Sequence, residues 1–525
     1  MDWKQRVERS KACLVTALIS AFLWGLAAHG YAFFDNNVSH DSLREFHAEI
    51  LGNNIKLTSG RVFTPIYREL LGNDVTMPWL GGLLALLWIG LAVFLVARIL
   101  KVESKPMVVL IAGIFATNIS VSSTAATYIH DLDSYMFAML CAVAAVWLWN
   151  RNPKGWLAGA LPIMISLGIY QSYVFTAVAL VMIACILDLM NGVDFRNVFQ
   201  KGMKAVGMLL LGAIAYLVVM RVVIRLTGTV MHSGEYNSLD RMTLLNLDTI
   251  GVMIAGAYAD WLSRLWNAYS SYPSILIKGA TALFFIIDIA ALVAFLLSKT
   301  RGMREKLLCV ALTALLPLGM NMIYVLTLNA AHDLMVYPIF LFYLLTLLLA
   351  EWLYRWCKDN NHVFIAAAGK WQKVICILLI GVCMYGNARF ANGMYVKKNL
   401  EFDGYLSLMT RIVGRMEATP GYQPGETPVA VIGLPNTFNQ VIPGFKDYWN
   451  VTGMTGSSPI YTTEASRIQA YFDYVMSLPV VMADSETLAR LKADDSVRAM
   501  PCYPAEGFLR FYDGTLVVKL GQITD

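Results

Sequence analysis

The sequence predicts a mainly α-helical, polytopic membrane protein of about eleven spanning helices, followed by a small extracytoplasmic α/β domain. Three observations carry that expectation. Only 15% of the 525 residues are charged and 57% are hydrophobic, whereas a soluble domain carries about a quarter charged residues. The deficit is uneven: residues 1–390 form a series of apolar runs broken by short charged loops, and 391–525 read as ordinary soluble sequence. Basic residues fall in every second loop, the bias of loops that stay in the cytoplasm. The net charge of +5 lies mainly in those loops, so it argues for membrane orientation and against a nucleic-acid partner.

A crossing takes about 20 mostly apolar residues. The candidate spans are 12–33, 78–99, 107–127, 133–149, 156–170, 173–190, 205–226, 272–297, 308–326, 334–352 and 374–389. The first follows a basic start, Lys4, Arg6, Arg9 and Lys11. Its apolar stretch exceeds the roughly 7–15 residues of a cleaved signal, so it reads as an uncleaved helix. With a cytoplasmic N-terminus, alternate loops should be basic. Arg98, Lys101 and Lys105 follow the second span, Arg151 and Lys154 the fourth, and Arg196, Lys201 and Lys204 the sixth. Lys299, Arg301, Arg304 and Lys306 follow the eighth, and Arg355, Lys358, Lys370 and Lys373 the tenth. The other loops carry acids, His and Tyr instead. One long helix over 156–190 would spoil this alternation, so two short helices are expected with Tyr170-Gln171-Ser172-Tyr173 at their outer turn.

Two external segments are long, 34–77 and 227–271. In the second, Leu247, Ile250, Ile254, Tyr258, Trp261 and Leu265 recur at helical spacing, which suits a helix lying in the outer interface. Beyond 391, Pro428–Leu434 and Pro479–Ala483 read as strands. Thr463–Met476 and Ser485–Lys492 read as helices, the second with Ser485 as its N-cap. Phe508–Tyr512 and Thr515–Leu520 flank Asp513-Gly514, a two-residue hairpin turn. The eight cysteines form no framework: Cys502 alone lies in the soluble part, Cys357 falls in a cytoplasmic loop, and no CxxC or Cys/His cluster suggests structural zinc.

Polar residues gather in the loops on one side. Asp35 follows the first span immediately, with Asp41, Arg44, Glu45 and His47 behind it and Arg61 in a Ser-Gly-Arg turn. His130, Asp131 and Asp133 precede the fourth span. Asp-x-Asp spacing suits a divalent cation held with a substrate phosphate; it equally suits acids at a helix N-terminus. Gln171 and the Ala331-His332-Asp333 loop add to the same side. Arg221 and Arg225, near the outer end of the seventh span, either snorkel to head groups or hold a lipid phosphate. Asp288 is the clearest intramembrane charge, expected to bond a neighbouring helix. A lipid-linked substrate would present its head group to these loops. A carboxylate would then accept the proton of an attacking hydroxyl, and a cation would stabilise a departing phosphate.

The ordered set of motifs resembles the bacterial GT-C class of multi-span glycosyltransferases, and more narrowly the type II glucosyltransferase (Gtr) family that modifies O-antigen and other surface glycans. The matching pieces are Phe34-Asp35-Asn36, Gly60-Arg61, His130-Asp131-Leu132-Asp133-Ser134-Tyr135, Tyr170-Gln171-Ser172-Tyr173, Leu316-Pro317 and His332-Asp333-Leu334-Met335. Met500-Pro501-Cys502-Tyr503-Pro504 through Asp513-Gly514 and Val517-Val518-Lys519-Leu520 matches at the end. The resemblance implies a GT-C-like domain over 1–390 and inverting transfer of a sugar, by expectation glucose, from undecaprenyl phosphate to a surface glycan. The reaction would take place at the outer leaflet of the bacterial cytoplasmic membrane. It points to Asp35 as the catalytic acid of the first external loop. Relatives often show two consecutive acids there; here Asn36 follows, and Asp41 is the alternative. Asp131 and Asp133 would position sugar or metal, and Arg61, His130 and His332 would meet phosphate or sugar. A transporter or flippase of lipid-linked sugars would favour internal repeats and midplane polar groups; a polysaccharide polymerase or ligase shares the topology.

Overall fold

A computed structural model describes residues 3–35, 39, 55–71, 76–231, 247–267, 275–359, 363–434 and 465–523. Helices occupy every position expected to span. They are α1 (Trp3–Phe34), then two short helices α2 (Ile55–Thr58) and α3 (Phe63–Leu71), then α4 (Pro78–Ile99), α5 (Lys105–Ala116), α6 (Ile119–Thr127) and α7 (Leu132–Arg151). α8 (Gly155–Ile169), α9 (Val174–Met190), α10 (Phe195–Thr227), α11 (Leu247–Trp266) and α12 (Ile275–Leu297) follow. α13 (Met303–Met320), α14 (Met322–Leu326), α15 (Leu341–Asp359) and α16 (Val363–Glu417) complete the bundle. Among the described residues eight helices are long and apolar enough to cross a bilayer, or nine if the bent pair α5–α6 is one span; α8 is apolar but shorter. The chain is thus a mainly helical membrane protein.

The breaks have local causes. α5 and α6 meet at 40°. There the Thr117 hydroxyl bonds back to the Gly113 carbonyl at 2.8 Å, and Asn118 caps α6 by accepting from the Ser120 amide at 2.9 Å, both of which compete with continuous helix. α8 and α9 are separate helices, because Tyr170 is extended (φ −153°, ψ 110°). α10 starts with Asp194 accepting from the Asn197 amide and stops at Gly228 in the left-handed region, a usual C-terminal stop. The interfacial pattern over 247–265 forms α11. Its Tyr258 hydroxyl donates to the Ala314 carbonyl at 2.8 Å and its Trp261 ring packs on Phe285 and Phe342. Asp288 accepts from the Thr346 hydroxyl of α15 at 2.8 Å, the inter-helix bond expected of it. Cys357 is buried in α15, not in a loop.

Polar contacts sort the helix ends into two sets. At one end, Arg9 pairs with Glu103, Asn150 donates to the Ile99 carbonyl, and Trp149 donates to the Lys201 carbonyl. Lys201 pairs with Asp188, Arg301 and Trp352 both donate to the Met190 carbonyl, and Lys373 pairs with Glu351. At the other end, Ser39 donates to the Thr127 carbonyl and Gln171 to that of Ser59; Tyr216 bonds the Gly60 carbonyl, and Asn399 the Tyr31 hydroxyl. Every basic loop named above borders the first set.

α16 runs 55 residues, roughly 80 Å at 1.5 Å per residue, and passes residue 391 without a break. Its first part packs into the main core as far as Tyr395; from Tyr405 onward it joins a second core with β1 (Pro428–Ile432) and β4 (Thr515–Lys519). The sheet order is β2-β1-β4-β3, with β2 at Val481–Met482 and β3 at Leu509–Tyr512. β1 is parallel to both neighbours, and β3–β4 is the expected hairpin, with Asp513 (φ 45°) and Gly514 (φ 77°) in its turn. The helical expectation for 463–476 becomes α17 (Ala465–Tyr471) and a wider turn to Met476. α18 (Ser485–Ala493) is capped by Asp484 rather than Ser485, the Asp484 carboxylate accepting from the Thr487 amide at 2.7 Å. Lys519 is fully buried, and its ammonium donates to the carbonyls of Val497, Arg498 and Met500 at the end of α19 (Asp495–Arg498), the favourable end of a helix for a cation.

Two glycines in this sheet should respond differently to alanine. Gly514 has φ +77° and open space at its Cβ position, while Gly433 has φ +76° and a Cβ there would lie 2.2 Å from the Gly521 carbonyl oxygen. Gly514→Ala should lose about 1 kcal/mol from the left-handed backbone alone. Gly433→Ala should lose clearly more, read as a lower unfolding temperature of the purified full chain. Equal losses would contradict the tight approach at Gly433.

Candidate active site

Residues 55–71 fold onto the bundle because one of their helices is amphipathic. In α3, Thr64, Pro65, Tyr67 and Arg68 are buried, a helical spacing that turns one face inward. The turn before it needs Gly60, whose φ is +74°, with the Gly60 amide donating to the Leu57 carbonyl and the Arg61 amide to that of Lys56. Two cations are thereby carried inside. Lys56 is 4% exposed and Arg68 6% exposed, and both bind Asp131, which is 0% exposed. The Lys56 ammonium bonds Oδ2; the Arg68 Nη2 lies 2.8 Å from Oδ1; the His130 Nε2 is 3.4 Å from Oδ2.

The neighbouring groups form a second and a third set. Asp133 accepts from the Tyr67 hydroxyl at 3.2 Å, and that hydroxyl accepts from Trp88 Nε1 at 3.0 Å. Arg61 donates to the Tyr135 hydroxyl at 2.7 Å, with its guanidinium 4.7 Å from the centre of the Tyr170 ring. Tyr135 and Tyr170 stack at 4.2 Å. Gln171 donates to the Ser59 carbonyl and to the Tyr216 hydroxyl, both at 3.3 Å, and Tyr216 donates to the Gly60 carbonyl at 3.0 Å. Arg61 is therefore fixed against the Tyr135 hydroxyl and the Tyr170 ring, beside the stacked pair, by a turn that three separate segments hold. Among the described residues its Nε and the Nδ1 of His130 are buried without a hydrogen-bond partner.

Asp35 lies at the end of α1, half-buried, its amide bonded to the Tyr31 carbonyl at 3.0 Å. It is within electrostatic reach of Lys398 on α16 and of the Tyr31 hydroxyl. Lys398 is 6% exposed and donates to the Ala126 carbonyl at 2.7 Å. One residue on, the Thr127 carbonyl accepts from Ser39, and the chain then enters the His130–Asp131 stretch. The end of α6 thus joins the Asp35 group to the Asp131 group, although the charged neighbours of Asp131 are Lys56, His130 and Arg68, not Asp35.

The remaining candidates lie elsewhere or outside the described residues. His332 is beside Asp333, which pairs with Arg264 at 2.6 Å; Arg264 also holds Asp260 at 2.8 Å and the Ala331 carbonyl. Burial pushes the His332 imidazole below its usual pKa, with Asp333 pulling the other way, so it is a neutral hydrogen-bonding group near neutral pH. Arg221 and Arg225 stand exposed on α10, apart from these clusters. Asp41, Arg44, Glu45 and His47 fall outside the described residues. Sequence reasoning passed over Lys56, Arg68, Tyr67 and Lys398.

The donor set does not suit a metal as these residues stand. Both Asp131 oxygens face cations, and Asp133 faces a hydroxyl. Among the described residues no three His, Cys, Asp or Glu side chains gather where they could share an ion.

A family model described as glucosyl transferase GtrII matches residues 30–350, more than half of the chain. The match includes Asp35, the 55–71 segment, His130 to Tyr135, Gln171 and His332, and ends before α16. No curated protein and no solved structure matches the chain.

The buried ion cluster makes a thermodynamic prediction. Asp131→Asn leaves Lys56 and Arg68 without their counter-charge, which should destabilise by about 3–5 kcal/mol. Adding Lys56→Gln to that variant should recover part of the loss, seen as a higher unfolding temperature than Asp131→Asn alone. Losses that simply add would mean that the two groups are not coupled.

Proposed function

Since the chain belongs to the glucosyl transferase GtrII family, we propose that it transfers glucose from an undecaprenyl-phosphate donor to a hydroxyl of a surface glycan such as O-antigen. The bond is made with inversion at the outer leaflet of a bacterial cytoplasmic membrane. The observation that carries this reading is the gathering of ionisable groups from separate segments at the bundle end opposite the basic loops: Asp35 with Lys398, Arg61 on the Tyr135 hydroxyl and the Tyr170 ring, and Asp131 with its cations.

In this mechanism Asp35 takes the proton of the acceptor hydroxyl as its oxygen attacks the anomeric carbon from the face opposite the phosphate. The bond between that carbon and the phosphate oxygen breaks, and polyprenyl phosphate leaves as an anion needing little protonation. The unpartnered Arg61 Nε and His130 Nδ1 are donors for that phosphate or for sugar hydroxyls, with the neutral His332 as a further contact. A preorganised buried cation is worth more here than in water, because it need not reorganise as charge develops. Asp131 serves by holding Lys56 and Arg68 inside, and Asp133 by fixing Tyr67. Arg221 and Arg225, exposed on α10, suit the phosphates of the surrounding leaflet.

The same reading assigns eleven crossings, a cytoplasmic N-terminus and an external α/β domain over 391–525. The two sets of helix ends support it, because the basic loops all belong to the set that the charge bias assigns to the cytoplasm.

Two measurements test the proposal. Asp35→Asn should lower glucosyl transfer by about 100- to 10,000-fold with purified protein and polyprenyl-phosphate glucose, while expression and unfolding temperature stay at wild-type values. Undiminished transfer would remove Asp35 from the role. A cysteine at the exposed Glu486 should react with a membrane-impermeant maleimide in intact spheroplasts; reaction only after lysis would reverse the orientation.

A further inference from the structure

The end of the bundle that carries the basic loops contains a cleft between α1, α4 and α5, of about 570 Å³. That is within the size range of small-ligand sites, roughly 300–1,000 Å³. Three cations line it, Arg9, Arg98 and Lys105, with one carboxylate, Glu103, above an apolar floor that includes Cys13 and Val108. Glu103 already pairs with Arg9 at 3.2 Å. Among the described residues no carboxylate pairs with Arg98 or Lys105, so the cleft carries uncompensated positive charge.

The chain's geometry brings these cations together. α4 and α5 are joined by a tight turn in which the Val102 amide bonds the Ala97 carbonyl at 2.8 Å and Lys101 takes a left-handed φ of 55°. The turn leaves Arg98 in the last turn of α4 and Lys105 as the first residue of α5. Arg98 is there at the favourable end of its helix; Lys105 is at the unfavourable one, where the helix dipole is positive. An anion between them would relieve both the net charge and that misplacement. Snorkelled cations reach separately for whatever head groups lie nearby; here they share one cleft with an apolar wall.

We propose that this cleft binds the phosphate head group of an anionic phospholipid from the adjoining leaflet, with an acyl chain along its apolar floor. Basic pockets between spanning helices on the cytoplasmic side are suited to such head groups. The site is separate from the proposed chemistry. Arg9 and Asp35 are on the same helix and its end, roughly 40 Å apart by helical rise, so the lipid is a bound component of the fold at the opposite surface and not the sugar donor.

The test uses the full chain in nanodiscs of phosphatidylcholine containing a minor share of phosphatidylglycerol, extracted and weighed by native mass spectrometry. Phosphatidylglycerol should be retained in preference to phosphatidylcholine. Arg98→Gln with Lys105→Gln should weaken that retention by about thirtyfold. Glu103→Gln, which frees Arg9, should strengthen it, a sign that a merely structural role would not produce and that decides the matter if the double variant fails to fold. Equal retention of the two lipids, retention unchanged in the double variant, or no gain with Glu103→Gln would each overturn the proposal. Displacement by inorganic phosphate at a concentration equal to that of the lipid would overturn it too, by showing a site for free phosphate. Glucosyl transfer by these variants should stay at the wild-type level, which keeps this outcome independent of Asp35.

Discussion

A carboxylate with no exposed surface, Asp131, faces two cations that come from 75 and 63 residues earlier in the chain. Neither Lys56 nor Arg68 could be buried without it, since an uncompensated charge inside the protein is strongly destabilising. Once they are buried, α3 must lie against α7 and α8, and the turn before it must sit where Arg61 meets the Tyr135 hydroxyl and the Tyr170 ring. The same docking aims Tyr67 at Asp133. The positions of Arg61 and Tyr67 therefore follow from one electrostatic requirement.

A second dependence comes from the far end of the chain. Asn392 bonds the carbonyls of Ala27 and Ala28, Tyr395 bonds His29, and Asn399 bonds Tyr31. Lys398 reaches the end of α6 beside Asp35. These contacts run in register along α1 and α16, so the surroundings of Asp35 are set by a helix that lies beyond the residues matched by the family model. α16 then continues into the second core without a break. A continuous helix shared by the two cores links the sheet to the surroundings of Asp35, which gives the C-terminal part a structural reason to accompany the bundle.

Most of the helices were legible because burial in hydrocarbon requires long apolar runs, and composition records them directly. The ends were less legible. α10 begins at Phe195, ahead of the expected 205, because Arg196, Asn197, Lys201 and Lys204 lie in its polar first turns. α16 outlasts its apolar run because a helix can leave the bilayer and go on in water, where hydropathy no longer marks it. The cap of α18 was misplaced by one residue, since Asp484 and Ser485 are both good caps and only the bond to Thr487 separates them. At the site, His130-Asp131-x-Asp133 stood out as a compact motif. Lys56 and Arg68 did not, because a lone cation in a polar loop looks solvated until its partner is known. Lys398 was hidden by the same polar stretch that concealed the length of α16.

The arrangement of acids divides their possible work. Asp131 is committed to Lys56 and Arg68, and Asp133 to the Tyr67 hydroxyl. Asp260 and Asp333 share Arg264, and the buried Glu401 is 3.8 Å from Lys397. A carboxylate clamped by two cations is a poor proton acceptor, because the proton must compete with both. Asp35 is placed differently: it is half-buried at the end of α1, with Lys398 and the Tyr31 hydroxyl nearby. As the proposed base it would take a proton without first breaking a buried ion cluster. That distinction favours Asp35 as the proposed base on physical grounds independent of any family motif, and leaves the Asp131 cluster as the fixed charge against which the site is built.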